Sequence, residues 1–337
     1  MPGKLIVDEI EDSGGTSVIG RKNYLINGNF DIWQRGTSET GRTSSGYAAD
    51  RWFINPSGGT IASSQQAFTV GQTDVPNEPG YFYRFTNSVA ADNAGLWQKI
   101  EGVRSLAGQT ATISFYAKYT TNAPTSLSLD INQDFGSSGS ADVATSIQTG
   151  ITLTTSWQKF TYSISVPSIS GKTVAGGDDN ISFRIGNPNT EIWDMDIAQV
   201  QVEKGSVATD FEVRLIAEEQ NLCDRYYQVI ADGTGLVISQ GWYLSPTGFE
   251  ASMRLRNMMR TVPSLDQVTG TNYYRIIYSS GSTIVTDYID SFTMNSGASN
   301  PDLIQLTTPD DSGVGGEPGL YQTQNANSFL GLDAELW

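Results

Sequence analysis

The sequence predicts an all-β protein in which a jelly-roll β-sandwich is followed by one helix and a second, smaller β-sandwich domain. Three observations lead there. Charged residues make up only 17% of the 337 residues while glycine contributes 35, a balance that suits short strands joined by tight turns. Period-two alternation of apolar and polar residues recurs along most of the chain. A single stretch, after Gly205, changes to a helical period.

Taken in order, residues 4–19 read KLIVDEIEDSGGTSVI, an apolar start, an acidic stretch and a Ser-Gly-Gly turn before Val18 and Ile19. So short a segment buries nothing alone and orders by pairing with copies of itself or with another protein. Residues 1–21 are therefore expected to form an attachment or trimerising segment. Strand signals begin near Tyr24 and mark 22–212 as the jelly roll. In ATISFYAKY, Ala111, Ile113, Phe115 and Ala117 alternate with polar neighbours, and SLSLDI repeats this with Leu127, Leu129 and Ile131. Phe160, Tyr162, Ile164 and Val166 form a third inward set, and Ile181, Phe183 and Ile185 a fourth. In IWDMDIAQVQVE the phase slips between Trp193, Met195, Ile197 and Val200, Val202, which predicts a bulge near Ala198.

The helix is expected over 213–228, with Leu215, Leu222 and Tyr226 on one face and Ile216, Cys223 and Tyr227 beside them. Residues 229–337 read as the second β domain. Phe249, Ala251, Met253 and Leu255 alternate in FEASMRLRN, a hairpin is expected around Ser280-Gly281, and Leu330, Leu332, Ala334 and Leu336 alternate up to the final Trp337.

Composition removes several classes of function. The formal charge of −16, with Lys and Arg scattered, opposes binding to nucleic acid. With no histidine, His-based triads and the usual zinc sites are excluded. The lone Cys223 reads as a small apolar side chain on the helix. The N-terminus lacks the apolar run of a signal peptide, and no segment has the length of a membrane span, so membrane insertion is not expected.

INGNFDIWQRGTS, then AADRWF, TSWQKFTYSISV, AQVQVEKGSVATDFEVR and EEQNLCDRYYQ resemble a module of tailed-bacteriophage tail fibres and appendage proteins, over roughly residues 22–228. The resemblance implies a carbohydrate-binding-module-like jelly roll in a virion protein. That protein would be a homotrimer made in the host cytoplasm and displayed on the virion surface. It would join other virion proteins through residues 1–20 and bind host-surface polysaccharide. With neither heptads nor shaft repeats, a short tail fibre, head fibre or fibre tip is expected rather than a long fibre.

Sugars present apolar ring faces and a polar rim, so aromatic side chains beside amides and charges are the candidates for contact. Trp97 with Gln98, and Tyr81 and Tyr83 after a Pro-Gly turn, are the expected glycan-binding residues. Trp157 and Trp193 are assigned to the core, Trp52 to the anchoring of an early strand and Trp33 to the inner face of the first strand. The resemblance also implies a structural calcium where first and last strands meet, at Asn29, Asp31 and Asp196 or its neighbour Asp194; the competing reading takes these as surface acids. No cofactor is required. Asp130 with Asp134, or Asp178 with Asp179, could be put forward as a depolymerase pair, but no feature sets either pair across a cleft, and with 36 acids a chance pair is expected. A non-enzymatic binding protein is the expectation, and a decoration or connector protein of capsid or tail without glycan binding is the alternative.

Overall fold

The computed structural model describes residues 22–91, 94–295, 297, 299–308 and 313–336. The expected attachment segment at 1–21 and the final Trp337 lie outside them. The described residues divide into two compact units, one up to Glu219 together with Leu336, the other from Gln220 to Glu335.

The first unit carries β1 (Ser38–Arg42), β2 (Gly46–Tyr47), β3 (Phe53–Asn55), β4 (Thr60–Ala67), β5 (Tyr81–Ala91), β6 (Ala94–Glu101), β7 (Thr110–Lys118), β8 (Leu127–Asp134), β9 (Val143–Ile151), β10 (Gln158–Ser165), β11 (Asn180–Asn187) and β12 (Glu191–Lys204). They form two six-stranded sheets, β1-β4-β5-β12-β7-β10 and β2-β3-β6-β11-β8-β9, and consecutive strands repeatedly fall in different sheets, as in a jelly roll. Between the sheets lies one core built from the alternating residues named above. Phe115, Leu129, Phe183, Trp193, Ile197 and Val202 are each at most 3% exposed. A side chain of this size contributes about 1.5–3 kcal/mol when fully buried. Phe160, Tyr162 and Ile164 pack on this core from β10 but remain half-buried, because β10 is an edge strand.

The phase slip in β12 is a bulge. Its pairing with β7 shifts between Ala198 and Gln201, and Gln199 takes a φ of 48°. One extra residue there turns Val200 and Val202 onto the same core as Ile197. Before β1 the chain departs from expectation. Residues 22–37 are irregular, so Trp33 is no strand residue. It packs half-buried on the core, its ring stacked 5.2 Å from Tyr83 and its Nε1 donating to the Phe30 carbonyl at 2.9 Å. Trp157 packs, as expected, on a core cluster, a second and smaller one, where its ring meets Phe68 and Phe82.

The helix, α1 (Ile216–Asp224), is shorter than the expected 213–228. Leu215 precedes it, and its carbonyl accepts from the N–H groups of Glu218 and Glu219, which makes it a cap position. Leu215 and Ile216 are accordingly 79% and 60% exposed, and Glu219 and Cys223, one turn apart, face inward instead. Tyr227 belongs to the next strand. The second unit continues through β13 (Tyr227–Asp232), β14 (Val237–Ser245), β15 (Gly248–Arg254), β16 (Ser264–Gln267), β17 (Tyr274–Ser280), β18 (Thr283–Ile289), β19 (Thr293–Met294), β20 (Leu303–Thr307), β21 (Pro318–Thr323) and β22 (Phe329–Asp333). They pair as β13-β22-β16 and β18-β17-β21-β14-β15-β20-β19, over a core that includes Tyr243, Phe249, Tyr274, Ile276, Tyr321 and Leu330. β17 and β18 are the expected hairpin, turning at Gly281 with a φ of 60°.

Candidate functional site

Alternation fixes what the second sheet of the jelly roll shows to solvent. In β6, Leu96, Gln98 and Ile100 point into the unit, so Trp97, Lys99 and Glu101 point out. In β8, Leu127, Leu129 and Ile131 are inward, which leaves Asp130 and Asn132 outward, and in β11 the inward Ile181, Phe183 and Ile185 leave Ser182 and Arg184 outward. Strand pairing then aligns these outward residues across the sheet. Phe53 stands opposite Trp97, Trp97 opposite Arg184, Arg184 opposite Asp130 and Asp130 opposite Ser146. The next row places Lys99 opposite Ser182 and Ser182 opposite Asn132.

Over these rows runs a groove of about 630 Å³, lined by Asn55, Trp97, Asp130, Asn132, Asp142 and Arg184 among others. Its polar groups are held in place. Arg184 Nη1 donates to Asp130 Oδ2 at 2.9 Å, its guanidinium carbon lies 5.7 Å from the Trp97 ring centroid, and its side chain is 13% exposed. Ser128 Oγ donates to the same Asp130 oxygen at 3.2 Å, and Asn132 donates to Asp142 at 2.9 Å. The edge of Phe53 meets Trp97 with 6.4 Å between ring centroids.

A pair of glycines makes room for this arrangement. Gly95 and Gly186 face each other in the ladder, and a Cβ on Gly186 would stand 2.8 Å from the Ala94 carbonyl oxygen of the neighbouring strand, 2.8 Å from Arg184 Nη2 and 2.9 Å from its Cζ. The guanidinium therefore lies down on a floor without side chains. A larger residue at 186 would lift it.

Of the four expected glycan contacts, only Trp97 lies in the groove. Gln98 is 1% exposed and turned the other way; its Oε1 accepts from Ile26 N–H at 2.6 Å and its Nε2 donates to the Ile26 carbonyl at 2.8 Å. It clamps the irregular segment before β1, as a strand would. Tyr83 is fully buried, donates to Ser63 Oγ at 2.6 Å, and its phenol is pushed well above the usual range by desolvation. Tyr81 is 40% exposed but starts β5, in the first sheet.

Asn29 and Asp31, expected at a calcium site, do come together: Asn29 Nδ2 donates to Asp31 Oδ2 at 3.0 Å. The Asn29 Oδ1 is buried without a hydrogen-bond partner, and burial pushes the Asp31 carboxyl up despite its bond from Asn29. A hard cation would find oxygen ligands at these two residues. Asp196 does not contribute, because its carboxylate is already paired with Arg84 at 2.7 and 2.8 Å and lies 3.8 Å from Lys118 Nζ. Asp194 is likewise committed, to the backbone N–H groups of Thr120, Thr121 and Asn122. Among the described residues no group of three or more His, Cys, Asp or Glu could hold a metal ion.

No family model matches the chain, and no curated protein matches it. Solved structures similar to it include a CBM22 xylan-binding domain from Paenibacillus barcinonensis, 13% identical over 52% of this chain and 97% of that one, with a TM-score of 0.35. The CBM22 and GH10 modules of a Clostridium thermocellum endo-1,4-beta-D-xylanase match at 13% identity and a TM-score of 0.33, over 55% of this chain and 28% of theirs. The enzymatically active domain of tailspike protein 4 from bacteriophage CBA120 matches at 11% identity and a TM-score of 0.32, over 54% of this chain and 21% of that one.

Proposed function

We propose that the jelly roll binds a polysaccharide chain along the groove of its second sheet and does not cleave it. The observation that carries this is the transverse row Phe53, Trp97, Arg184, Asp130, Ser146. It sets an aromatic surface beside a fixed donor and a fixed acceptor, the combination that an apolar sugar face with a hydroxyl rim requires. Arg184 and Asp130 hold one another in place before any ligand arrives, which lowers the ordering cost of binding. The groove's volume of about 630 Å³ falls in the range of about 300–1,000 Å³ usual for ligand sites.

The motifs from INGNFDIWQRGTS to EEQNLCDRYYQ support a bacteriophage virion protein as the setting: a homotrimeric short tail fibre, head fibre or fibre tip that meets host surface glycan. Affinity electrophoresis through gels containing bacterial surface polysaccharides tests the binding. The intact protein should be retarded by one of them without releasing reducing ends, and Trp97→Ala should abolish the retardation. Unchanged retardation of that variant would remove the groove from the account. Light scattering tests the oligomer, with three chain masses expected and a stable monomer at micromolar concentration refuting it.

A further inference from the structure

One face of the second unit's seven-stranded sheet is apolar and open to solvent. Tyr321 of β21 and Tyr243 of β14 turn inward to the core, so Leu320, Pro318 and Trp242 turn out. Strand pairing carries this outward pattern across β18, β17, β21 and β14. One row sets Thr286 opposite Ile277, Ile277 opposite Leu320 and Leu320 opposite Gln240. The next sets Ile284 opposite Ser279 and Pro318 opposite Trp242. A shallow groove of about 390 Å³ lies over these rows. Ile284 is 78% exposed and Trp242 50%. A contiguous apolar face of this kind marks a contact surface, as single exposed apolar residues do not.

The charges on the face say what covers it. Neither row holds a charged residue across those four strands, in a chain with 36 acids. Charges stand at the margins. Arg275, the outward residue before Ile277, donates from Nε to Gln322 Oε1 at 2.7 Å, and Glu250 stands opposite Trp242 on β15. Among the described residues no carboxylate pairs with Arg275 and no cation with Glu250, whereas Arg254, farther along β15, is paired with Asp302 at 3.1 Å. The face is thus neutral in sum, with one cation and one anion left open on opposite sides of an apolar middle. Two copies of the chain, each at −16, repel as wholes, so a stable contact between them needs a stretch without net charge. This face supplies one, and its two margins are complementary to each other.

We infer, resting on the homotrimer proposed above, that the copies meet through this face. The Arg275 side of each copy lies against the Glu250 side of the next in a closed ring, and the apolar rows are buried over the threefold axis. Within one chain the two charges stand three strands apart, about 14 Å, which is beyond the screening length of about 8 Å at physiological salt. Their pairing is therefore a contact between chains.

The test is light scattering of the full chain over a dilution series at physiological salt. Glu250→Arg sets two cations against each other at every contact, and Arg275→Glu sets two carboxylates. Each should raise the concentration at which the trimer dissociates by about tenfold or more, and the double variant should bring it back to within about threefold of wild type. A recovered assembly cannot come from misfolding. Ile284→Asp, at a position open to solvent in the single chain, should release monomers whose circular dichroism keeps the strand signature. A single charge variant that dissociates like wild type, a double variant without recovery, or an Ile284→Asp protein that keeps three chain masses would overturn the arrangement, leaving the trimer in place and the face to a different partner. A wild-type protein that is monomeric would remove the trimer reading itself, and this inference with it.

Discussion

Replacing Gln98 with alanine separates a structural amide from a ligand contact. The side chain is 1% exposed and makes both of its hydrogen bonds to one residue, at 2.6 Å from Ile26 N–H and 2.8 Å to its carbonyl. Its removal strands two backbone groups of the segment before β1. An unsatisfied buried polar group costs about 1–3 kcal/mol, and because Ile26 is only half-buried the lower part of that range applies to each, giving about 2–4 kcal/mol. In a unit of this size 1 kcal/mol moves the melting temperature by about 2–4 °C. The first unit should therefore melt about 5–15 °C lower, as followed by calorimetry, while glycan affinity measured well below the transition stays within about twofold of wild type. A variant with wild-type melting and abolished binding would refute the reasoning and return Gln98 to the ligand site.

Other consequences can be checked in the same preparations. Burial raises the Asp31 carboxyl, so the folded state favours its protonated form: its contribution is fully present below the unfolded value near pH 4 and is lost as pH rises through the folded one. Asp31→Asn should therefore raise the melting temperature at pH 7 and leave it unchanged near pH 3; a loss at pH 7 would instead point to a bound cation that needs the carboxylate. Leu332 is fully buried in β22 between β13 and β16, and Leu332→Ala should cost the second unit about 2–5 kcal/mol in urea unfolding. Gly186→Ala should lower both the melting temperature of the first unit and its glycan affinity, because its Cβ meets the Ala94 carbonyl oxygen and the guanidinium of Arg184, each at 2.8 Å; a loss of stability with affinity retained would show that the guanidinium need not lie flat.

Much of the fold could be read directly from the residues. The alternation in ATISFYAKY, SLSLDI and ISFRIG gave the inward sets, and the phase slip in IWDMDIAQVQVE located the bulge, because a two-residue period leaves no other way to keep Ile197 and Val202 on one core. The helix was overextended because Leu215 and Ile216 continue an apolar period into a turn whose residues cap rather than pack. The groove was less accessible. Arg184, Asp130 and Asn132 are the off-phase residues of strands whose inward faces were identified, so their outward direction was implicit. Their meeting was not, since β6, β11 and β8 are neighbours in the sheet but distant in the chain. The placement of Gln98 did have a local signal: it lies between Leu96 and Ile100 in the inward phase, opposite to that of Trp97. A polar side chain at an inward position betrays its partner only once the segment it clamps has been placed, and Ile26 lies 72 residues earlier.

The central claim is that the outward face of the second sheet holds a glycan. A crystal structure of the protein with an oligosaccharide cut from a polymer that retards it tests this most directly. Sugar rings lying along β6, β11 and β8, with one ring against Trp97 and its hydroxyls on Arg184 and Asp130, are the predicted result. Sugar bound against the first sheet near Tyr81, with the groove left empty, would contradict it.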